Sequence, residues 1–211
     1  MMIQTPRLDP DGLRLPTQLT LAQLANDAIV QPFAAGLVTQ ALKHSHFLPT
    51  LAEALHYPGS ETHPLLATLL ILDAEVEAVI GGGRRTFPLP GFLSYRANLP
   101  LQEFPLSSVR LPSLNPDSHF FFLPTDPQAF LILRLDLQPL RKVMGHVRLA
   151  TSRPTQIPQR LHIVEHRLER QTLTESCIER AIAASNEDVA GPLSLAEQAK
   201  LREVLGELGA G

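Results

Sequence analysis

The chain has 211 residues, 44% hydrophobic and 18% charged, with a formal net charge of −3. That is enough apolar material for a folded core, so wholesale disorder is ruled out, and the balance of charge excludes an overall electrostatic grip on nucleic acid or anionic lipid. A single cysteine, Cys177, excludes an intrachain disulfide framework, a self-contained iron–sulfur cluster and a cysteine-rich zinc site. Residues Gly12 to Thr17 alternate apolar and polar and predict a short strand. Thr20 to Ala28 predicts a short helix with Leu21, Leu24, Ala25 and Ala28 on one face, and Gln31 to Leu42 a second, with Pro32 in its first turn. Pro49 breaks that pattern, and Thr50 is placed to cap a short turn, TLAEAL.

His63 to Asp73 gives the strongest helical signal, with leucines nearly all round, as in a buried helix. Glu75 to Ile80 reads as a strand, Gly81-Gly82-Gly83 as a turn and Arg85 to Leu89 as the returning strand of a hairpin. Prolines 88, 90, 100, 105 and 112 then predict turns and short extended pieces, with a strand at Ser107 to Leu111 and a soft boundary near Leu101–Leu106. Beyond it, His119 to Leu123, Ala129 to Leu137 and Val143 to Ala150 read as strands, the middle one equally as a buried helix. Pro158 to Glu169, Thr174 to Ser185 and Ser194 to Leu208 read as amphipathic helices. The N-terminal MMIQTPRLDPDGLRLP has no basic stretch ahead of an apolar run, and the longest apolar run, Leu65 to Leu72, falls well short of the ~20 residues that cross a membrane. The expectation is a soluble cytoplasmic chain with no membrane or nucleic-acid partner.

Few residues invite chemistry. His44, His46, His56 and His63, with Glu53 or Glu61, form a candidate metal cluster, but they straddle a loop, and loosely packed histidines are the expectation. His162 and His166 flank Glu165 on one helix with no third ligand in view. Gly81 to Gly83 followed by Arg84 and Arg85 has the composition of a phosphate cradle, yet lies between two strands, where a plain hairpin turn is expected. Cys177 falls on the inner face of a helix and reads as a small buried residue rather than a nucleophile. Arg134 and Asp136 alternate with Leu133, Leu135 and Leu137, as on a half-solvated sheet. No acid–base pair, catalytic residue or metal site emerges.

The order of segments is more telling. LLATLLILDAEVEAVIGGGRRTFPLPGFL joins a leucine-rich helix ending in Leu72-Asp73-Ala74, a strand, the Gly83 to Arg85 turn and the Pro88 to Phe92 segment, and VRLP follows at Val109 to Pro112. HFFFLPTDPQAFLILRLDL leads into a sheet, and HVRLATSRPTQIPQRLHIVEHRLERQTLTESCIERA gives a strand, a proline-marked turn and two helices, with Glu165 and Leu168 in a Glu-Xaa-Xaa-Leu pattern. This order resembles the flavin subunit of the molybdenum hydroxylases, the family of the medium subunits of carbon monoxide dehydrogenase and bacterial xanthine dehydrogenases. The resemblance implies an α+β fold: a truncated flavin-lobe remnant over residues 1–104, then, over 105–211, a three-stranded antiparallel sheet packed with a helical bundle. It implies FAD as cofactor, no metal, and molybdopterin and iron–sulfur subunits as partners.

In that family FAD lies between two glycine-rich loops. The first belongs to an N-terminal lobe that this chain begins too late to contain, and the second reads TxGGN. Its counterpart here is Thr50-Leu51-Ala52-Glu53-Ala54, so Thr50, Leu51, Ala52 and Glu53 stand as a degenerate diphosphate loop. Glycine lets main-chain amides approach a diphosphate closely; Ala52 adds a β-carbon, Glu53 adds a carboxylate beside the anion, and the Thr50 hydroxyl is the donor that remains. Tyr95 and Arg96 fall in the family's segment after Phe92 without an assigned role. The expected function is a degenerate flavoprotein-like subunit that binds partner subunits rather than catalysing. The alternatives are an intact small FAD-dependent oxidoreductase and a stand-alone scaffold or assembly factor. An apolar surface at Leu65 to Leu72, left without its lobe, predicts a partner or homodimer contact.

Overall fold

The computed structural model describes residues 5–45, 49–98 and 104–210. The chain forms two compact units that divide between Leu114 and Asn115. In the first, β1 (Arg7–Asp9), β2 (Gly12–Pro16), β3 (Glu75–Ile80), β4 (Gly83–Pro88) and β5 (Leu106–Pro112) make one antiparallel sheet in the order β1-β2-β5-β3-β4. Because β5 is hydrogen-bonded to both β2 and β3, the division falls after it, and the boundary expected at 104/105 moves downstream.

Leu13 and Leu15 of β2, Val76 and Ala78 of β3, and Val109 and Leu111 of β5 share one face of this sheet by register, and all six are buried. The helices of this unit are α1 (Leu21–Ala25), α2 (Leu37–Lys43), α3 (Leu51–His56), α4 (His63–Ile71) and α5 (Leu89–Tyr95). All nine residues of α4 are buried, and the helix packs on α2 and α5. Its leucines are covered within the chain, so the expected apolar docking surface at Leu65 to Leu72 is not there. Two local features differ from the reading of the sequence. α2 starts only at Leu37, because Ala34 and Ala35 take left-handed angles (φ 52° each) and Gly36 follows at φ 82°. α5 was hidden by its prolines, yet Pro90 sits in the first turn, where the missing N–H costs nothing.

In the second unit β6 (Ser118–Asp126), β7 (Ala129–Gln138), β8 (Val143–Arg153) and β9 (Gln156–Arg160) form a four-stranded antiparallel meander. The three-stranded sheet expected gains β9, whose last three residues take the start of the helix predicted from Pro158. Pro158 donates no hydrogen bond, which an edge strand tolerates, and α6 begins only at His162. The Ala129 to Leu137 segment is a strand, which decides the open choice there. α6 (His162–Leu168), α7 (Glu175–Ala184) and α8 (Leu195–Ala210) complete the unit. Its core joins Leu131, Leu133 and Leu135 of β7 and Val147 and Leu149 of β8 to Leu161, Val164, Leu168, Ile178, Ala181, Leu201 and Leu205.

Three carboxylates tie these helices to the sheet. Glu165 accepts from the Leu149 N–H (2.8 Å) and from Arg160 Nε and Nη2 (2.8 and 2.6 Å). The β7–β8 ladder slips between Arg134 and Asp136, and the N–H groups of His146 and Val147 turn instead to Glu169 (2.9 and 2.8 Å). Glu197, 1% exposed, accepts from Arg153 Nε and Nη2 at 3.0 and 2.7 Å. No helix among the described residues is long and apolar enough to cross a membrane.

Candidate functional site

Thr50 and its neighbours form the start of α3. Thr50 is extended (φ −67°, ψ 160°) and caps the helix: its Oγ1 accepts the Glu53 N–H at 3.3 Å, and the Glu53 carboxylate returns to accept the Thr50 N–H at 2.7 Å. The Thr50 hydroxyl donates to that same carboxylate at 2.9 Å. The next amides are engaged as well. Leu51 N–H donates to the Leu19 carbonyl and Ala52 N–H to the Thr17 carbonyl, both at 2.9 Å, and Ala54 N–H to the Thr50 carbonyl at 3.0 Å. Two capping segments thus run antiparallel, because Thr20 opens α1 with a capping box of its own and bridges to Thr50.

Every N–H from Thr50 to Ala54 therefore ends on an acceptor inside the chain. A diphosphate cradle needs the opposite, a row of N–H groups aimed outward at the anion. The donor left to Thr50 in the sequence reading is taken too. Hydrogen bonds from the Thr50 N–H and hydroxyl hold the exposed Glu53 carboxyl below its ordinary range, so a negative charge stands at this helix start.

The other sequence candidates disperse. His44 is exposed at the end of α2, while His56 is buried at the end of α3, edge-on to Phe92 with ring centroids 5.2 Å apart. His63 is buried at the start of α4, and His46 lies outside the described residues. Among the described residues no group of three or more His, Cys, Asp or Glu side chains converges as for a metal ion. His162 is mostly exposed and reaches toward Glu165 at 3.5 Å, while His166 is exposed. Gly81 and Gly82 take positive φ angles (56° and 79°) in a two-residue loop between β3 and β4, the geometry of a tight hairpin. Cys177 is 2% exposed, and burial pushes its thiol up against the opposing pull of Arg180. Tyr95 is exposed; burial lowers Arg96, which donates to the Leu93 carbonyl. Arg134 is buried rather than solvated, and Asp136 accepts from Ser118 Oγ at 2.5 Å.

The sequence reading missed a polar cluster on the first unit's sheet, on the face opposite Leu13 and Val109. There Arg14 Nη1 of β2 meets Glu77 Oε2 of β3 at 2.5 Å, and Ser108 Oγ of β5 donates to the same oxygen at 2.7 Å. Burial pushes Glu77 up, but the hydrogen bonds from Ser108 and Arg14, with the charges of Arg14 and Arg84, outweigh it and leave the carboxyl below its ordinary value. Alternating Arg14, Glu77 and Ser108 within three apolar strands is the one signal that marked them.

No family model and no curated protein sequence matches the chain. Solved structures do. A chain of the carbon monoxide dehydrogenase from Hydrogenophaga pseudoflava that lacks the Mo-pyranopterin moiety of its molybdenum cofactor is 16% identical, with a TM-score of 0.73 over 97% of this chain and 74% of that one. Reconstituted CO dehydrogenase from Oligotropha carboxidovorans gives 11% identity and 0.72, over 96% of this chain and 74% of that one. Quinoline 2-oxidoreductase from Pseudomonas putida 86 gives 18% and 0.70, over 94% and 75%. At such identities the likeness is one of fold, and it spans nearly the whole chain.

Proposed function

We propose that the chain is a flavoprotein-like subunit of a molybdenum hydroxylase system that has lost its hold on FAD and serves by binding partner subunits, the molybdopterin and iron–sulfur components. In this reading the unit ending at Leu114 corresponds to a remnant of the flavin lobe, and the unit beginning at Asn115 to the C-terminal domain of such subunits. The shared fold with chains of carbon monoxide dehydrogenase and quinoline 2-oxidoreductase supports the kinship.

One observation carries the loss of flavin: the N–H groups of Thr50, Leu51, Ala52, Glu53 and Ala54 all close on internal acceptors, beside a carboxylate held ionised. A diphosphate arriving there would have to break those bonds and sit against Glu53. The residues present do not fit it, so no electron-transfer step through a flavin is assigned to this chain.

The test is spectral. The full chain, purified and then incubated with excess FAD and desalted, is expected to stay colourless and to co-purify with a molybdopterin-containing subunit from its native cells. Stoichiometric, tightly held isoalloxazine would overturn the loss of flavin. A colourless protein that retains no such subunit would overturn the partner role and leave a stand-alone scaffold.

A further inference from the structure

The polar face of the first unit's sheet carries more positive than negative charge, and the excess can be located. By register Arg7, Asp9, Arg14, Ser108, Arg110, Glu75, Glu77 and Arg84 share that face. Arg7 pairs with Asp9 at 2.8 Å, Arg14 with Glu77 at 2.5 Å and Arg110 with Glu75 at 3.3 Å. Arg84 is left over: among the described residues no carboxylate lies within ion-pair distance of it, and Glu77, the acid on which its charge acts, already serves Arg14.

Part of this face lines a cleft of about 740 Å³, walled by Arg7, Arg14, Arg84, Ser107, Ser108 and the Arg14-bound carboxylate of Glu77 on the polar side and by Pro6, Pro16 and Ile29 on the apolar side. Arg14 reaches the cleft with its Nη1 already held by Glu77 Oε2 and within 3.3 Å of Ser108 Oγ, so its guanidinium is fixed in place. Arg7, Arg14 and Arg84 reach the cleft from β1, β2 and β4. An arginine fork matches phosphate oxygens bidentately, and a dianionic phosphoryl group has oxygens enough for more than one such fork. The volume exceeds that of a bare anion, and Ile29, 39% exposed, with the two prolines offers apolar contact to an organic body.

We propose that this cleft binds a small organic phosphate, its phosphoryl group between Arg84, Arg7 and Arg14 and its organic part against Pro16 and Ile29. The site is separate from the Thr50–Glu53 segment, and the proposal stands whether or not the flavin reading holds. Glu77 is a positioning residue: it holds the Arg14 side chain across the sheet and leaves Arg84 as the uncompensated charge. The Gly81-Gly82-Gly83-Arg84 stretch thus takes part through its guanidinium, not through a cradle of amides.

The probe is AMP, titrated calorimetrically into the full chain at low salt, with inorganic phosphate in a parallel arm. Arg85 supplies the control. It neighbours Arg84 on the same exposed strand but points to the other face, so Arg84→Gln and Arg85→Gln remove the same charge and leave the core untouched. One-to-one binding of AMP is expected, weakened about tenfold or more in Arg84→Gln and less than about twofold in Arg85→Gln. Inorganic phosphate is expected to bind at the same place more weakly. No AMP binding at millimolar concentration, or equal weakening by the two substitutions, overturns the proposal. Phosphate binding as tightly as AMP overturns the role given to Pro16 and Ile29.

Discussion

Placing glycines at the α3 start is the sharpest test of the flavin argument. Take the double substitution Ala52→Gly/Glu53→Gly, with Ala54 left alone because it is 1% exposed and an asparagine there would bury an amide. If glycine alone were the obstacle, the variant would recover FAD. The structure predicts otherwise, because the Leu51 and Ala52 N–H groups donate to the main-chain carbonyls of Leu19 and Thr17, which the substitution does not touch. What the variant does lose is stability. Removing the Glu53 carboxylate breaks the capping box, worth about 1 kcal/mol, and two glycines in a first helical turn cost roughly 0.5–1 kcal/mol each. The sum, roughly 2–3 kcal/mol, lowers the melting temperature by about 5–10 °C in a chain of this size. Thermal unfolding by circular dichroism reads the loss, and quenching of FAD fluorescence reads any binding. Micromolar FAD affinity in the double variant, or an unchanged melting temperature, would refute the reasoning.

Three other outcomes follow from the same geometry. Glu165→Ala strands the Leu149 N–H and Arg160, and urea unfolding is expected to show a loss of about 3–5 kcal/mol, whereas Glu203→Ala, which breaks the exposed pair with Lys200, stays within about 0.5 kcal/mol. Because the folded Glu77 carboxyl lies below 4.5, its contribution is complete above that pH and drains away as pH falls through the depressed value. The stability gap between the natural chain and Glu77→Gln is therefore expected to narrow as the pH falls below 4.5, and a gap that widens in acid would count against the pairing. Cys177, buried and pushed up, is expected to react with iodoacetamide at neutral pH far more slowly in the native chain than in urea, and equal rates would place it at the surface.

Local chemistry made much of this fold readable. Thr20 and Thr174 announce their helices because a side-chain oxygen meets an N–H three residues on. Glu75 to Ile80 and Gly83 to Pro88 announce a hairpin because two glycines accept positive φ. The failures lie where tertiary pairing overrides a local pattern. Gln156 to Arg160 shows no strand alternation and is a strand because β8 offers it a free edge. Ala34 and Ala35 give no hint of left-handed angles, which alanine seldom adopts. At the sites the contrast is the same. The Thr50–Glu53 capping box is a four-residue pattern, legible in retrospect from Thr and Glu three apart. The cluster on the sheet was not, since Arg14 and Glu77 stand 63 positions apart and Ser108 a further 31 along. No window on a single sequence sees that meeting.

The position of β5 has a consequence for how the molecule is made. It lies between β2 and β3, so the first unit's sheet stays split in two until residues 106–112 leave the ribosome, with Gly12–Pro16 waiting for a neighbour almost a hundred residues away. The second unit is the reverse: each strand from β7 to β9 pairs with the one just synthesised. Closing a long loop before any contact rewards it is slow, while a meander assembles from near neighbours. The second unit is thus built to assemble as it emerges, whereas the first must travel part of its biosynthetic life with the edges of β2 and β3 open, the stage at which a nascent chain is most exposed to aggregation or chaperone capture.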